Sequence, residues 1–315
     1  MTDLAQWLSR QPIAADLGSV IASMAAAGAD IVEVLEDAPL TGLVGLVGSV
    51  NVQGEEQKQL DVVSNDIVLK HLRQNPAVSI LVSEELDEAV NLEAGGAYMV
   101  ATDPLDGSSN LDVNVTVGTI FSVLRADGGL TQPGTAQLAA GYIAYGPATT
   151  LVVTVGGGVA VFSLDDEGTF RLTHEDVRVP EASAEFAINT ARERFWDAAT
   201  RGYVAENIAG ESGSAGKRYN MRWIGSMVAD VHRILMRGGI FLYPLDSETA
   251  SKGGRLRLLY EANPMAMLME QAGAGATTGR QRILEVVPTG IHQRVPVILG
   301  SSEEVRRVEA WYAKT

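Results

Sequence analysis

Near the N-terminus, apolar residues recur at helical spacing: Leu17, Ile21 and Met24, then Ile31, Val32 and Leu35, with alanines between them. This three-to-four-residue period predicts an amphipathic helix, and Pro39 is expected to end it, because proline lacks the N–H that a helix interior uses. The stretch Gly42 to Gly54 is punctuated by glycine and reads as a mobile loop. Short β-prone runs follow at Ser79–Ser83, Tyr98–Thr102, Thr119–Arg125, Gly141–Tyr145, Leu151–Val155 and Val159–Leu164. After Pro180 the pattern changes to Phe186–Ile188, a helix over Ser226–Arg237, runs at Ile240–Tyr243 and Arg255–Tyr260, a helix over Pro264–Ala272 and a run at Val295–Leu299. The chain therefore reads as two mixed α/β halves, residues 1–180 and 181–315, without internal repeats or low-complexity segments.

Composition narrows the class. The 315 residues are 46% hydrophobic and 20% charged, enough apolar material for one large core or two that share an interface. The net charge of −15 opposes any broad nucleic-acid or anionic-membrane surface, so an anionic substrate would need cations placed within its own site. With no cysteine, disulfides, zinc–thiolate centres and thiol nucleophiles are excluded. The first residues lack the basic start and long apolar stretch of a secretory leader, and no run of about 18 apolar residues suggests a membrane span, so a cytoplasmic location is expected.

The chemistry concentrates in Asp103-Pro104-Leu105-Asp106-Gly107-Ser108-Ser109-Asn110, directly after the apolar run Tyr98–Thr102. Pro104 fixes a turn between two acids, and the Leu105 carbonyl can join them as a third oxygen ligand. Gly107, Ser108 and Ser109 then offer backbone N–H groups and hydroxyls suited to a phosphate. Glu84 and Glu85 follow the run Ser79–Ser83, and Glu261 follows Arg257–Tyr260, so three apolar runs finish in acid. Ligands in α/β sheets bind beyond the carboxyl ends of strands, where such acids can converge. Clustered carboxylates repel one another unless a cation is present, and hard oxygen donors favour Mg²⁺ or Mn²⁺ over Zn²⁺. Asp61 lies in a segment that can open or run along an amphipathic helix.

Other motifs fail on spacing or context. Gly210–Arg218 lacks the glycine spacing and metal-binding hydroxyl of a P-loop, and the glycines at 273 and 275 follow a helix instead of a strand. His71, His174, His232 and His292 form no HExxH pair, and no serine sits in a GxSxG elbow. His232 and His292 are read as structural.

Asp103–Asn110 with an upstream Glu-Glu pair resembles the signature of the lithium-sensitive phosphomonoesterases, which include inositol monophosphatases and fructose bisphosphatases. Longer segments are similar to class I fructose-1,6-bisphosphatases: Leu60–Asp66, Val82–Glu85, Val117–Phe121, Gly225–Arg233, Gly239–Pro244, Leu256–Met265 and Ile291–Gly300. The resemblance spans roughly residues 14 to 312. It implies a layered αβαβα sandwich, and hydrolysis of the 1-phosphate of fructose 1,6-bisphosphate in gluconeogenesis or the Calvin cycle. It also implies two or three Mg²⁺ ions per subunit, with Mn²⁺ an alternative, and a homotetramer.

By the same resemblance, Glu84, Asp103, Asp106, Glu261 and the Leu105 carbonyl match metal ligands, with Glu85 close by. Asp61 matches the residue that helps Glu85 activate water, and Glu55 stands where the animal enzymes carry a loop aspartate. Asn189, Arg222, Tyr243 and Arg255 match residues that hold the phosphate that is not hydrolysed, Arg222 reaching into a neighbouring subunit's site. Ser108, Ser109, Met227 and Arg257 match positions around the sugar and the reacting phosphate. Trp223 and Arg192 replace tyrosines of the animal form and Arg255 replaces a lysine, so Trp223 removes a hydroxyl donor while the two arginines between them add charge and a planar fork. Sedoheptulose-1,7-bisphosphatase or a dual-specificity enzyme remains open, as does a sugar-phosphate sensor; a 3′-nucleotidase or inositol phosphatase needs no second phosphate clamp. AMP inhibition is not expected, because Ala14-Ala15-Asp16-Leu17-Gly18 replaces the Thr-Gly-Glu-Leu-Thr run of AMP-sensitive members, and Ala97 replaces a lysine, although Tyr98 and Arg125 remain.

Overall fold

The structure, a computed structural model, describes all residues except 44–45, 51–55 and 93–94, with the side chains of 46–50 and 56–58 also outside the description. Seven α-helices are described: α1 Leu4–Leu8, α2 Ala15–Thr41, α3 Gln59–Arg73, α4 Ala198–Ala209, α5 Met227–Arg237, α6 Asn263–Gln271 and α7 Ser302–Tyr312. Strands β1 (Leu46–Val50) and β2 (Glu56–Lys58) pair antiparallel, so a strand, β1, lies within the stretch read as a loop. Strands β3 (Val78–Ser83), β4 (Val90–Asn91), β5 (Tyr98–Asp106), β6 (Val117–Arg125), β7 (Ala139–Tyr145), β8 (Thr149–Thr154), β9 (Ala160–Leu164) and β10 (Phe170–His174) form one sheet in the order β10-β9-β8-β7-β6-β5-β3-β4. A second sheet is built from β11 (Glu185–Ala187), β12 (Asn220–Met221), β13 (Ile240–Tyr243), β15 (Gly275–Thr277) and β17 (Val297–Gly300); β14 (Leu256–Arg257) and β16 (Arg294–Val295) form a separate pair.

Three apolar clusters explain the layering. Trp7, Ile21, Met24, Ile31 and Leu72 from α1–α3 pack on Val100, Phe121 and Phe162 of the large sheet. From the opposite face, Ile120 and Tyr142 pack with Val231 of α5, Met265 of α6, and Phe241 and Leu299 of the second sheet. Beyond that sheet, Phe186, Leu242 and Ile298 meet Tyr203 of α4 and Val308 of α7. Helices, sheet, helices, sheet and helices follow in order, the αβαβα sandwich. Because both faces of both sheets are covered, β5 is buried at every position and reads as a continuous apolar run instead of an alternating one.

Several expectations are corrected. α2 continues through Pro39 to Thr41 and stops at Gly42, whose φ of 76° is left-handed; proline tolerates the last turn because little helix remains beyond it to distort. α2 is also long and apolar enough to cross a membrane by length and composition, contrary to the sequence reading, but its Leu17–Ile31 face packs into the first cluster. Arg255–Tyr260 is not a strand throughout: β14 covers only Leu256–Arg257, and Leu258–Ala262 winds into a π-helical turn that leads into α6. Strands β4 and β10 and helices α4 and α7 carry no sequence expectation. The edge of β10 is partly covered by the N-terminus, where Asp3 bridges to Arg171 and Leu172 donates to the Thr2 carbonyl at 2.8 Å.

Candidate active site

The acids converge as the strand-end argument requires, by different local means. Strand β3 ends at Ser83 and delivers Glu84 and Glu85, with the Glu84 N–H donating to the Thr102 carbonyl of parallel β5 at 3.1 Å. Strand β5 does not stop at Asp103; it continues to Asp106 through a register shift against β6, where Pro104 cannot donate to the ladder. The Pro104 carbonyl instead accepts the Thr119 hydroxyl at 2.8 Å, and the Leu105 N–H donates to Asp103 Oδ1 at 3.0 Å. Asp103 and Asp106 thus flank Leu105 on the rim of one cavity. Glu261 comes from the π-helical turn, not a strand end, and its Oε2 accepts the Arg257 N–H at 2.6 Å.

Glu84, Asp103 and Glu261 are all buried and bring carboxylate oxygens within 4.8 Å of one another. Burial, then the charges of Glu84 and Asp106, a hydrogen bond with Glu84 and the charge of Glu261 hold the Asp103 carboxyl well above the usual range. Asp106 is pushed up to about 7, chiefly by burial and despite the Val228 N–H, which donates to its Oδ2 at 2.9 Å. Burial and Glu84 likewise raise Glu261, with Arg257 opposing. Arg257 enters as the local cation, its Nη2 2.8 Å from Glu84 Oε1. One guanidinium cannot balance this many carboxylates, whereas a hard divalent cation with oxygen ligands can, so the donor set fits such an ion.

A cavity of about 530 Å³ is lined by Asp61, Glu84, Glu85, Asp103, Leu105, Asp106, Gly107, Ser108, Ser109, Met227, Tyr243, Arg255, Arg257 and Glu261. Asp61, buried in the first turn of α3, reaches it from a different element than the other acids. Gly107 has φ of 79°, and a Cβ there would meet Ser226 Oγ at 2.9 Å, so both conformation and contact require glycine. Ser108 and Ser109 then open a 3₁₀ helix, Ser108–Val113.

Other expected residues lie apart. Asn189 caps a 3₁₀ turn, its Oδ1 accepting the Ala191 N–H at 3.1 Å, and lines a separate small pocket with Trp223 and Tyr243. The Arg222 side chain is 56% exposed, with Nε 3.5 Å from Glu185 Oε1, and does not line the cavity of its own chain. The expectation that Arg192 adds charge to the anion pocket is corrected: its guanidinium lies 2.6 Å from Asp246 and 2.7 Å from Glu248, which neutralise it. Glu55 lies outside the described residues. His232 and His292 accord with a structural role, their Nδ1 atoms 2.9 Å from Tyr142 and 2.8 Å from Tyr260 hydroxyls.

The sequence reading missed Phe241, Leu256, Gly225 and Asp112 in the cavity lining. Trp223 stacks on Phe241, with centroids 5.8 Å apart and planes 9° apart, and meets Tyr243 edge-on. The alternation Phe241–Tyr243 along a strand was the available signal.

Comparison with known proteins agrees with this architecture. The family model for the fructose-1,6-bisphosphatase N-terminal domain matches residues 5–175, and that for the C-terminal domain matches residues 179–313. The chain belongs to the fructose-1,6-bisphosphatase family. It is 51% identical over 318 residues to the class 1 fructose-1,6-bisphosphatase of Acinetobacter baumannii (strain SDF), covering 98% of each chain. It is 50% identical over 317 residues to that of Neisseria meningitidis serogroup A, covering 99% of this chain and 98% of the relative. The Leishmania major fructose-1,6-bisphosphatase in holo form superposes with a TM-score of 0.93 at 37% identity, and its apo form with 0.88 at 36%, each covering 99% of both chains.

Proposed function

We propose that this protein hydrolyses the 1-phosphate of D-fructose 1,6-bisphosphate, giving fructose 6-phosphate and inorganic phosphate, with two or three Mg²⁺ or Mn²⁺ ions held by Glu84, Asp103, Asp106, Glu261 and the Leu105 carbonyl. The observation that carries this reading is a single cavity lined by both a buried acid cluster and the donors Tyr243 and Arg255. A phosphomonoesterase of small alcohols needs only the first; a bisphosphatase needs both. When bound, the cations supply Lewis acidity and lower the pKa of water.

The chain's own groups do the rest. Glu85 and Asp61 take the proton of the attacking water, while Gly107, Ser108 and Ser109 present N–H and O–H donors to the phosphoryl oxygens. Asp106 accepts from the sugar hydroxyls, and Met227 and Arg257 shape the space around the sugar. Asn189, Tyr243 and Arg255 receive the distant phosphate, assisted by Arg222 from a neighbouring subunit of a homotetramer. The exposure of Arg222, directly after edge strand β12, supports service in trans. The division at residue 180 places four of the five metal-binding positions in the N-terminal half and this clamp in the C-terminal half, in a cytoplasmic enzyme.

Arg255→Ala and Arg222→Ala are expected to raise KM for the bisphosphate about tenfold or more, since each removes a charge-assisted hydrogen bond worth about 1.5–3 kcal/mol. Steady-state kinetics check this; a collapse of kcat with KM unchanged would contradict the assignment.

AMP is expected to inhibit weakly or not at all. Ala14 caps α2 without a side-chain hydrogen bond, and Arg125, over the Tyr98 ring at 5.8 Å, already pairs with Asp127. Losing one charge-assisted and two neutral contacts costs roughly 2.5–6 kcal/mol if they add, and every 1.4 kcal/mol is tenfold. Half-maximal inhibition at micromolar AMP would show that other residues rebuild the site.

A further inference from the structure

The segment Arg222–Gly225, which contributes Trp223 and Gly225 to the cavity wall, follows the end of β12 and is irregular backbone held by side chains from both sides. The Ile224 N–H lies 3.3 Å from Asp230 Oδ1 and 3.1 Å from Oδ2, and the Gly225 N–H donates to Oδ2 at 3.2 Å. Arg233, one turn along α5, donates from Nη2 to the Arg222 carbonyl at 3.3 Å and pairs through Nη1 with Glu185. From the other side, Asn110 Nδ2 donates to the Gly225 carbonyl at 3.1 Å. Asp230 is fully buried. A buried carboxylate is costly unless its oxygens are satisfied. Here the backbone donors that satisfy it come from this one segment, with Arg233 as counter-charge 3.7 Å away.

We propose that Asp230, with Asn110 opposite, is a positioning residue for substrate selection: by fixing Arg222–Gly225 it sets where Trp223 stands in the cavity and how well the phosphate that is not hydrolysed is received. Neither residue lines the cavity. Trp223 is stacked on Phe241 and set edge-on to Tyr243, so a shift of its backbone moves the wall beside the phosphate-binding tyrosine. Asn110, in the 3₁₀ helix Ser108–Val113, holds the segment from the side opposite Asp230. The inference rests on the bisphosphatase reading.

The test compares kcat/KM of the full-length wild type, Asp230→Asn and Asn110→Ala for fructose 1,6-bisphosphate and fructose 1-phosphate at saturating Mg²⁺. An asparagine at 230 keeps the shape but turns one acceptor into a donor facing the backbone N–H groups. The wild type should prefer the bisphosphate; each variant should lose about tenfold with it and no more than about twofold with the monophosphate, the size expected when one hydrogen-bonded placement is lost. Equal losses on both substrates, or none on either, would overturn the inference while leaving the function intact. A wild type without preference for the bisphosphate would overturn both. Circular dichroism and a thermal melt verify folding, and if Asp230→Asn does not fold, the partly exposed Asn110→Ala decides by the same ratio.

Discussion

Asp103→Asn is expected to abolish most phosphate release, by about 10³-fold or more, while the protein becomes more stable in the absence of divalent cations. The loss follows because removing a ligand charge forfeits several kcal/mol of transition-state stabilisation, at 1.36 kcal/mol per tenfold. The gain follows from the same site viewed without its cation. Asp103 is fully buried among Glu84, Asp106 and Glu261, and each of these raises its pKa on top of burial. An asparagine retains the Oδ1 that accepts the Leu105 N–H and removes the repulsion. A phosphate-release assay and thermal unfolding in chelator read the two effects separately. Asp106→Asn should act in the same sense, preserving the acceptor for the Val228 N–H. Near-normal turnover in both variants would place the chemistry elsewhere, and a lower unfolding temperature in chelator would contradict the electrostatic account.

The second large effect is a stabilisation by divalent cation that grows with pH. The folded-state pKa of Asp106 is raised from 3.8 to about 7, and those of Asp103 and Glu261 are raised well above their usual values. The native state therefore binds more protons than the unfolded chain above about pH 4, and stability falls as pH rises. For these groups, cation-free stability is fullest below the unfolded carboxylate values and is lost through about pH 7 as Asp106 ionises. A cation that binds only the folded, ionised cluster adds about 2.7 kcal/mol at a concentration of 100 Kd, which raises Tm by several degrees. Differential scanning calorimetry from pH 5 to 8, with chelator and then with Mg²⁺, should show Tm falling with pH in the first series and the largest Mg²⁺ gain at pH 8. A gain that is equal at pH 5 and pH 8 would separate the cation from these carboxylates.

The sequence revealed the chemistry better than the backbone. Glu84, Asp103 and Asp106 were legible because each follows a buried apolar run, and β-sheet geometry sends such positions to a shared edge. Glu261 joins Glu84 and Asp103 by a different local route from the strand end read in the sequence: its segment winds into a π-turn closed by its own contact with the Arg257 N–H. Composition around a single arginine does not reveal its partner, so Arg192 read as an added cation when Asp246 and Glu248, more than fifty residues away, neutralise it. Helix α7 escaped because its charged residues obscure a narrow stripe of Val305, Val308 and Tyr312, although the three-and-four spacing was present. In α4, polar Thr200 and Asn207 share the buried face with Tyr203 and Val204, which leaves almost no amphipathic signal. Asp230 looked like any polar position of α5, because its backbone partners Ile224 and Gly225 are recognisable only once the chain has turned back on itself.

The most direct measurement is phosphate release from fructose 1,6-bisphosphate by the purified protein after exhaustive chelation and again after Mg²⁺ is restored, with fructose 1-phosphate and inositol 1-phosphate in parallel. A metal-dependent bisphosphatase should show negligible release in chelator, full recovery with Mg²⁺, and a clear preference for the bisphosphate. Undiminished release in chelator, or equal turnover of inositol 1-phosphate, would contradict that assignment.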